Sequence, residues 1–327
     1  MKKWNIRALA LTVSLMLAMG LLLTGCGGAG GAANKEIAET VRVAALNGPT
    51  GMGMVDLMEN EMVEVTTYQA PDEAVQKLIA GEVDIAAVPS NLAPVLYNKT
   101  EGKIVALTTI ASGILYLVEN GEAVGSIEDL KGMTIVASGK GGTPEYVLTL
   151  LLEQAGLKPG TDVEIKWMDV HADVAQALLK TPGTVALLPE PFVSTVLSKS
   201  ETARVAVDLN AAWQEVYGGS LPMGVVIAKK DFVESRPEDT AAFLANLSDS
   251  VDDVNGASDE VADKIVAAGF LADPEIAKAA IPRCNITCMN PEESKAVLEG
   301  FYQTLFDVAP ASVGGALPGE DFYYTVK

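Results

Sequence analysis

The stretch VEVTTYQAPDEAVQKLIAGEVDIAAVPSNLAPVLYNK (63–99) has a counterpart at an offset of 100 residues, VEIKWMDVHADVAQALLKTPGTVALLPEPFVSTVLSK (163–199), and the two align without a gap. Val63/Val163, Glu64/Glu164, Gln76/Gln176, Leu78/Leu178, Ala86/Ala186, Pro89/Pro189 and Lys99/Lys199 are identical. Each copy reads as strand, helix, strand, a turn at proline, then helix. The chain therefore holds two similar βαβα blocks. Alternation of this kind specifies an α/β fold with largely parallel sheets.

Each block is preceded by a strand that runs into a glycine-rich turn: VRVAALNGPTGMGM (41–54) before the first, MTIVASGKGGTPEYV (133–147) before the second. Each half thus offers two loops at the carboxyl ends of parallel strands, where open α/β sheets bind ligands. In one half these are Asn47-Gly48-Pro49-Thr50-Gly51 and Pro89-Ser90-Asn91; in the other, Ser138 to Thr143 and Pro189-Glu190-Pro191. If the halves face each other, four loops surround one small molecule. Gly48, Gly51, Gly141 and Gly142 let backbone approach it. Unpaired N–H groups at the following helix starts can hold an anionic or oxygen-rich group without a cation. Thr50 and Thr143 are placed to cap those helices and to offer a hydroxyl. Glu190 has two readings, a contact for a ligand amine or hydroxyl, or a cap for the helix after Pro191. Phe192 either covers an apolar ligand face or packs in the core. The same choice holds for Trp213, Tyr217 and Met223, near the place where the chain crosses back. His171, opposite Pro71 in the repeat, reads as a helix-start capping or surface residue, with ligand contact as the alternative.

Between many of the remaining strand-like runs, among them KIVALTTI, LYLVE, ARVAVDL and MGVVIAKK, lie helical stretches; the last quarter of the chain is helical. Composition is globular: 327 residues, 49% apolar and 20% charged, enough for a large core. The net charge is −20, and loss of the three basic residues in the leader makes it −23. That balance argues against nucleic acid and against adsorption on anionic lipid. Lys2, Lys3 and Arg7, then ALALTVSLMLAMGLLL, then LTGC form a signal peptide over 1–25, ending at a lipidation site on Cys26. Residues 26–40, with GGAGGAANKE after Cys26, read as a flexible tether. Cys284 and Cys288 lie in RCNITC, which reads as two packed thiols or, alternatively, as a disulfide across a tight loop. The single histidine and the lack of a second ligand pair leave no metal site, and no cofactor motif is present. The turn SGKGGTPE lacks the phosphate-loop spacing, and there is no G-x-S-x-G, H-E-x-x-H or Cys/His pair.

The lipobox, the RVAALNGPTGMGM start, ILYLVENGEAVGSIEDLKGMTIVASGKGGTPEYVLTLLLEQAGL and GSLPMGVVIAKKDFVESRPE together resemble the solute-binding lipoproteins of bacterial ABC importers. They look most like the nitrate/sulfonate/taurine and thiamine-precursor-type group. The resemblance implies a two-lobed type II periplasmic-binding fold. Lobe 1 is then 41–115 with 219–327, lobe 2 is 120–216, and hinges lie near 111–119 and 217–222. It also implies ligand contacts from the four loops and from Ser112-Gly113. The expected function is an extracytoplasmic, membrane-anchored, monomeric receptor, not an enzyme, that closes on a small anionic or heteroaromatic solute and delivers it to the permease. A sensing lipoprotein and an enzyme on the same fold, such as a pyrimidine-precursor synthase, are the rival readings. One histidine and an export signal weigh against the latter.

Overall fold

A computed structural model describes residues 36–325. The leader, Cys26 and the expected tether up to residue 35 lie outside the described residues. The strands are β1 Val41–Leu46, β2 Val63–Tyr68, β3 Ile85–Pro89, β4 Ile104–Ser112, β5 Leu115–Asn120, β6 Thr134–Ser138, β7 Glu164–Met168, β8 Val185–Pro189, β9 Ala203–Asp208 and β10 Pro222–Lys229. The helices are α1 Pro49–Met52, α2 Pro71–Ala80, α3 Leu92–Lys99, α4 Thr143–Gln154, α5 His171–Lys180, α6 Phe192–Leu197, α7 Leu209–Tyr217, α8 Lys230–Ser235, α9 Pro237–Asn255, α10 Asp259–Ala267, α11 Pro274–Cys284 and α12 Pro291–Val308.

The repeat becomes two five-stranded sheets of matching order, β2-β1-β3-β10-β4 and β7-β6-β8-β5-β9. In each, three strands pair in parallel, and one antiparallel strand, β10 or β5, separates them from the fifth. The fold is thus α/β, with two mostly parallel sheets flanked by helices. Both faces of each sheet are covered, which explains why the strands read as near-continuous apolar runs. In β1, Val41, Val43 and Ala45 join one apolar cluster while Ala44 joins another; in β5, Leu115 and Leu117 face one cluster and Tyr116 and Val118 the other. One of these clusters runs through both sheets, by way of Leu209, Trp213, Leu221, Met223, Leu298 and Phe301.

Local signals set the helix limits. Helix α2 starts with Pro71, Asp72 and Glu73 and stops at Gly81, whose φ of 75° accommodates the left-handed turn. Ser258, Asp273 and Asn290 cap α10, α11 and α12 through their side chains. No described helix is long and apolar enough to cross a membrane.

The chain passes between the sheets twice, in short segments. Strand β4 ends at Ser112 and β5 begins at Leu115, so Gly113 and Ile114 alone form the first link. Within the expected hinge 111–119, all but these two residues belong to β4 or β5. The return spans 218–221, between α7 and β10. Gly113 N–H donates to Leu221 O (2.8 Å), tying the two links together. A side chain at Gly113, with φ of 59°, would run into Asn210, so glycine is required there.

Candidate functional site

One carboxyl-end loop of the first sheet, Ser90-Asn91, meets one of the second, at Thr143. Ser90 N–H donates to Met223 O (3.1 Å), and Thr50 packs against Gly224 next to it. From the other sheet, Thr143 reaches Ser90 and Asn91: Asn91 Oδ1 accepts the Thr143 N–H (3.2 Å) and hydroxyl (3.0 Å), and Ser90 Oγ lies 3.3 Å from Thr143 Oγ1. Ser90 also donates to Pro222 O (2.7 Å). All three side chains are buried.

In the second glycine turn the amides are not free, which differs from the sequence reading. Gly142 N–H donates to Gly139 O (3.1 Å), Gly141 N–H to the Glu145 carboxylate (2.5 Å) and Thr143 N–H to Asn91. Neither threonine caps its helix, since the N-cap positions are Gly48 and Gly142. Helix α1 is a single turn, too short to carry much dipole. Thr50 turns its hydroxyl back to Leu46 O (3.3 Å), and the Phe270 ring covers Gly51. Asn47 is exposed and Pro49 buried. Met223 packs in the core. Among the described residues, Ser112 Oγ is buried without a hydrogen-bond partner.

His171 is neither a cap nor a free surface residue. It opens α5 beside the end of β6, and its Nδ1 lies 2.5 Å from Ser138 Oγ. The Phe192 ring stands 5.5 Å away at a 46° tilt. Burial lowers the imidazole pKa to about 4, from its ordinary 6.5, so the ring is neutral at physiological pH. A neutral imidazole has one donor and one acceptor. If Ser138 donates to Nδ1, then Nε2–H remains as a donor; if Nδ1–H donates, the Ser138 hydroxyl does. In either tautomer the pair presents one hydrogen-bond donor beyond itself. The repeat obscured this pair, because it sets His171 opposite Pro71. The signal that could have found it is Ser138 at the end of a strand beside the helix start after β7.

Glu190 takes the capping role. Its carboxylate accepts the Ser194 N–H (3.1 Å) and hydroxyl (2.9 Å) at the start of α6. Arg283, from α11, lies 3.9 Å from the same carboxylate and 3.3 Å from Ser194 Oγ. Tyr116 OH donates to Arg283 O (3.2 Å), so α11 is joined to β5 and α6. Sequence reasoning missed Arg283, whose partners lie about ninety residues away. Cys284 and Cys288 are free thiols, the first fully buried. Burial is the main influence on Glu190 and raises its pKa from 4.5 to about 7, against the lowering by Ser194 and Arg283. A carboxyl whose folded pKa is raised contributes stability below its unfolded pKa, and that contribution is lost as pH rises through about 7. Glu190→Gln, neutral at every pH, is expected to raise the urea midpoint relative to wild type at pH 8 and to leave it unchanged near pH 4.5. Equal midpoint differences at the two pH values contradict this.

Among the described residues, a cavity of about 250 Å³ lies away from these loops, between Trp213, Tyr217, Gly218, Val297, Phe301 and Thr304. It has no charged lining residue and does not touch the four loops.

A family model described as "ABC transporter, phosphonate, periplasmic substrate-binding protein" matches residues 55–269. Among solved structures, an ABC transporter protein from Parabacteroides distasonis is similar at 26% identity, covering 88% of this chain and 99% of its own, with a TM-score of 0.76. The periplasmic aliphatic sulphonate binding protein of Escherichia coli matches at 18% identity over 88% and 93%, TM-score 0.67. The periplasmic nitrate-binding protein of Synechocystis PCC 6803 matches at 14% over 72% and 68%, TM-score 0.53. The last two likenesses concern the fold alone. No curated protein matches significantly.

Proposed function

This chain belongs to the phosphonate periplasmic substrate-binding family of ABC transporters, and from that premise we propose that its solute carries a small oxyanion head of the phosphonate kind, gripped between the two sheets. It is a periplasmic substrate-binding protein of an ABC-type import system, in a family of binding proteins rather than enzymes.

The observation that carries the solute class is a set of neutral donors at strand carboxyl ends. Ser138 with His171, the N–H and hydroxyl of Thr143, and the unpartnered Ser112 hydroxyl come to the carboxyl ends of the sheets without a lysine bonded among them. Arg283 faces Glu190, and Lys140, in the turn between Ser138 and Thr143, is exposed. Oxyanions are held well by oriented neutral donors in a water-poor site, where each bond is stronger than in water. Phe192 supplies an apolar wall for a short organic substituent. The sulphonate and nitrate receptors that share the fold bind oxyanions too, as their names state.

The mechanism is closure about the links at 113–114 and 218–221. A solute that touches both lobes favours the closed form, and one that touches a single lobe shifts nothing. Closed receptor then presents both lobes to the permease. A lipid on Cys26 keeps the monomeric receptor at the membrane.

Thermal unfolding of the purified protein with methylphosphonate, methanesulfonate, nitrate and thiamine tests the solute class. At roughly a hundredfold excess over Kd, a bound solute adds about 2.7 kcal/mol of apparent stability. Methylphosphonate is expected to stabilise most. Stabilisation by thiamine with none from the oxyanions overturns the proposal.

A further inference from the structure

Helix α4 begins with Gly142 at its N-cap, a residue with no side chain to satisfy the first turn. The acceptor that fills this role comes from the opposite sheet. Asn91, just after β3, places Oδ1 where it receives both the N–H and the hydroxyl of Thr143. Asn91 is 6% exposed and Thr143 1% exposed, so this junction is sealed from water. Ser90 fixes it from behind, with its hydroxyl given to Pro222 O and its backbone C=O taken by Tyr302 OH (3.0 Å). The cap therefore exists only while the two sheets are together. It also occupies the two donors that an oxyanion at the start of α4 would use.

We propose that Asn91 is an internal surrogate for the solute: a latch that holds the ligand-free lobes together through Thr143, and that the solute displaces. This rests on the receptor reading above for its second half, the displacement. The first half, the latch, concerns the ligand-free protein alone. The carboxamide oxygen is neutral, so each bond to it is weaker than the charge-assisted bond an oxyanion makes to the same donors. The solute can thus replace Asn91, and the latch lowers apparent affinity in proportion to the fraction of molecules whose Thr143 donors are occupied. A residue that only contacts the solute has the opposite effect when removed.

The ligand-free protein is measured first, by small-angle X-ray scattering and by hydrogen exchange of a peptide spanning residues 139–147. Loss of two neutral hydrogen bonds shifts the closed-to-open ratio by about tenfold. Asn91→Ala is expected to enlarge the radius of gyration and to speed exchange in this peptide by about that factor. Asn91→Asp restores the acceptor and adds a charge at the α4 N-terminus, so it returns both quantities to wild-type values or beyond. Thr143→Val keeps the shape and loses one bond, and falls between. Wild-type scattering and exchange in ligand-free Asn91→Ala overturn the latch. Methylphosphonate binding is measured second: Asn91→Ala binds about tenfold tighter and Asn91→Asp more weakly. If the ligand-free effects appear and methylphosphonate binds neither wild type nor variant, the latch stands and the solute reading falls. If Asn91→Ala weakens binding and leaves the ligand-free protein unchanged, Asn91 is a solute contact and the latch is refuted.

Discussion

Replacing Glu119 with leucine is expected to destabilise the protein by about 3 kcal/mol, toward the lower end of what removing one partner of a buried ion pair costs. Glu119 lies in β5 and is 1% exposed. Its carboxylate accepts Ala123 N–H (2.8 Å), Val124 N–H (3.1 Å) and Arg204 Nη2 (2.6 Å). Arg204 in turn donates to Gly121 O (2.9 Å) and Val124 O (2.5 Å), so one carboxylate ties the turn after β5 to strand β9. Leucine leaves two amides and a guanidinium without this acceptor. The cost stays near 3 kcal/mol because the Arg204 side chain is 37% exposed and water recovers part of its charge. Glu119→Gln, which keeps an acceptor, is expected to lose less. Urea unfolding followed by circular dichroism reads both, and a loss below about 1 kcal/mol for leucine contradicts the argument.

His171→Ala is expected to weaken methylphosphonate binding by about 10- to 100-fold, the range for losing a hydrogen bond to a charged group. His171→Gln keeps a donor and is expected to recover part of the loss. The same substitution carries a second signature in stability. Burial depresses the His171 pKa to about 4, so the folded protein binds fewer protons than the unfolded chain between that pH and 6.5. His171 therefore makes wild-type stability rise with pH across this window, and stability falls away as pH drops toward 4. In His171→Ala that component of the slope disappears. Calorimetric titration and urea unfolding at pH 4.5 and 7 check both statements. Unchanged affinity removes His171 from the site, and an unchanged slope removes the buried neutral ring.

The sheets were legible because their evidence is local and periodic. All of the strand runs in the sequence became strands, and 63–99 and 163–199 became matching parts of two sheets of the same order. Their apolar faces explain this: Ile85 and Ala87 point one way, Ala86 and Val88 the other, and the pattern repeats at Ala186 to Leu188. The placement of PSN and SGKGGT at strand carboxyl ends was legible as well, because each follows a strand run. What each polar group would bond was not. Nothing in PSN or SGKGGT says that Asn91 Oδ1 will fill the gap left by Gly142, because that bond depends on how two separate sheets lie together. Arg283 reaches Ser194 across the same junction, again beyond any local signal. The pairing of Glu190 with Ser194 is a four-residue contact and lay within reach of the capping alternative. His171 was hidden by its alignment with a proline that does no comparable work.

The chain contains one histidine, so an untagged protein labelled with 15N-histidine gives a single imidazole spectrum that reports on the Ser138–His171 pair alone. Methylphosphonate titrated into this sample is expected to move the His171 ring nitrogens along a saturable curve that ends at one solute per chain. Saturable binding of methylphosphonate by calorimetry, with both ring nitrogen resonances unmoved, would place the solute elsewhere and contradict the site described here.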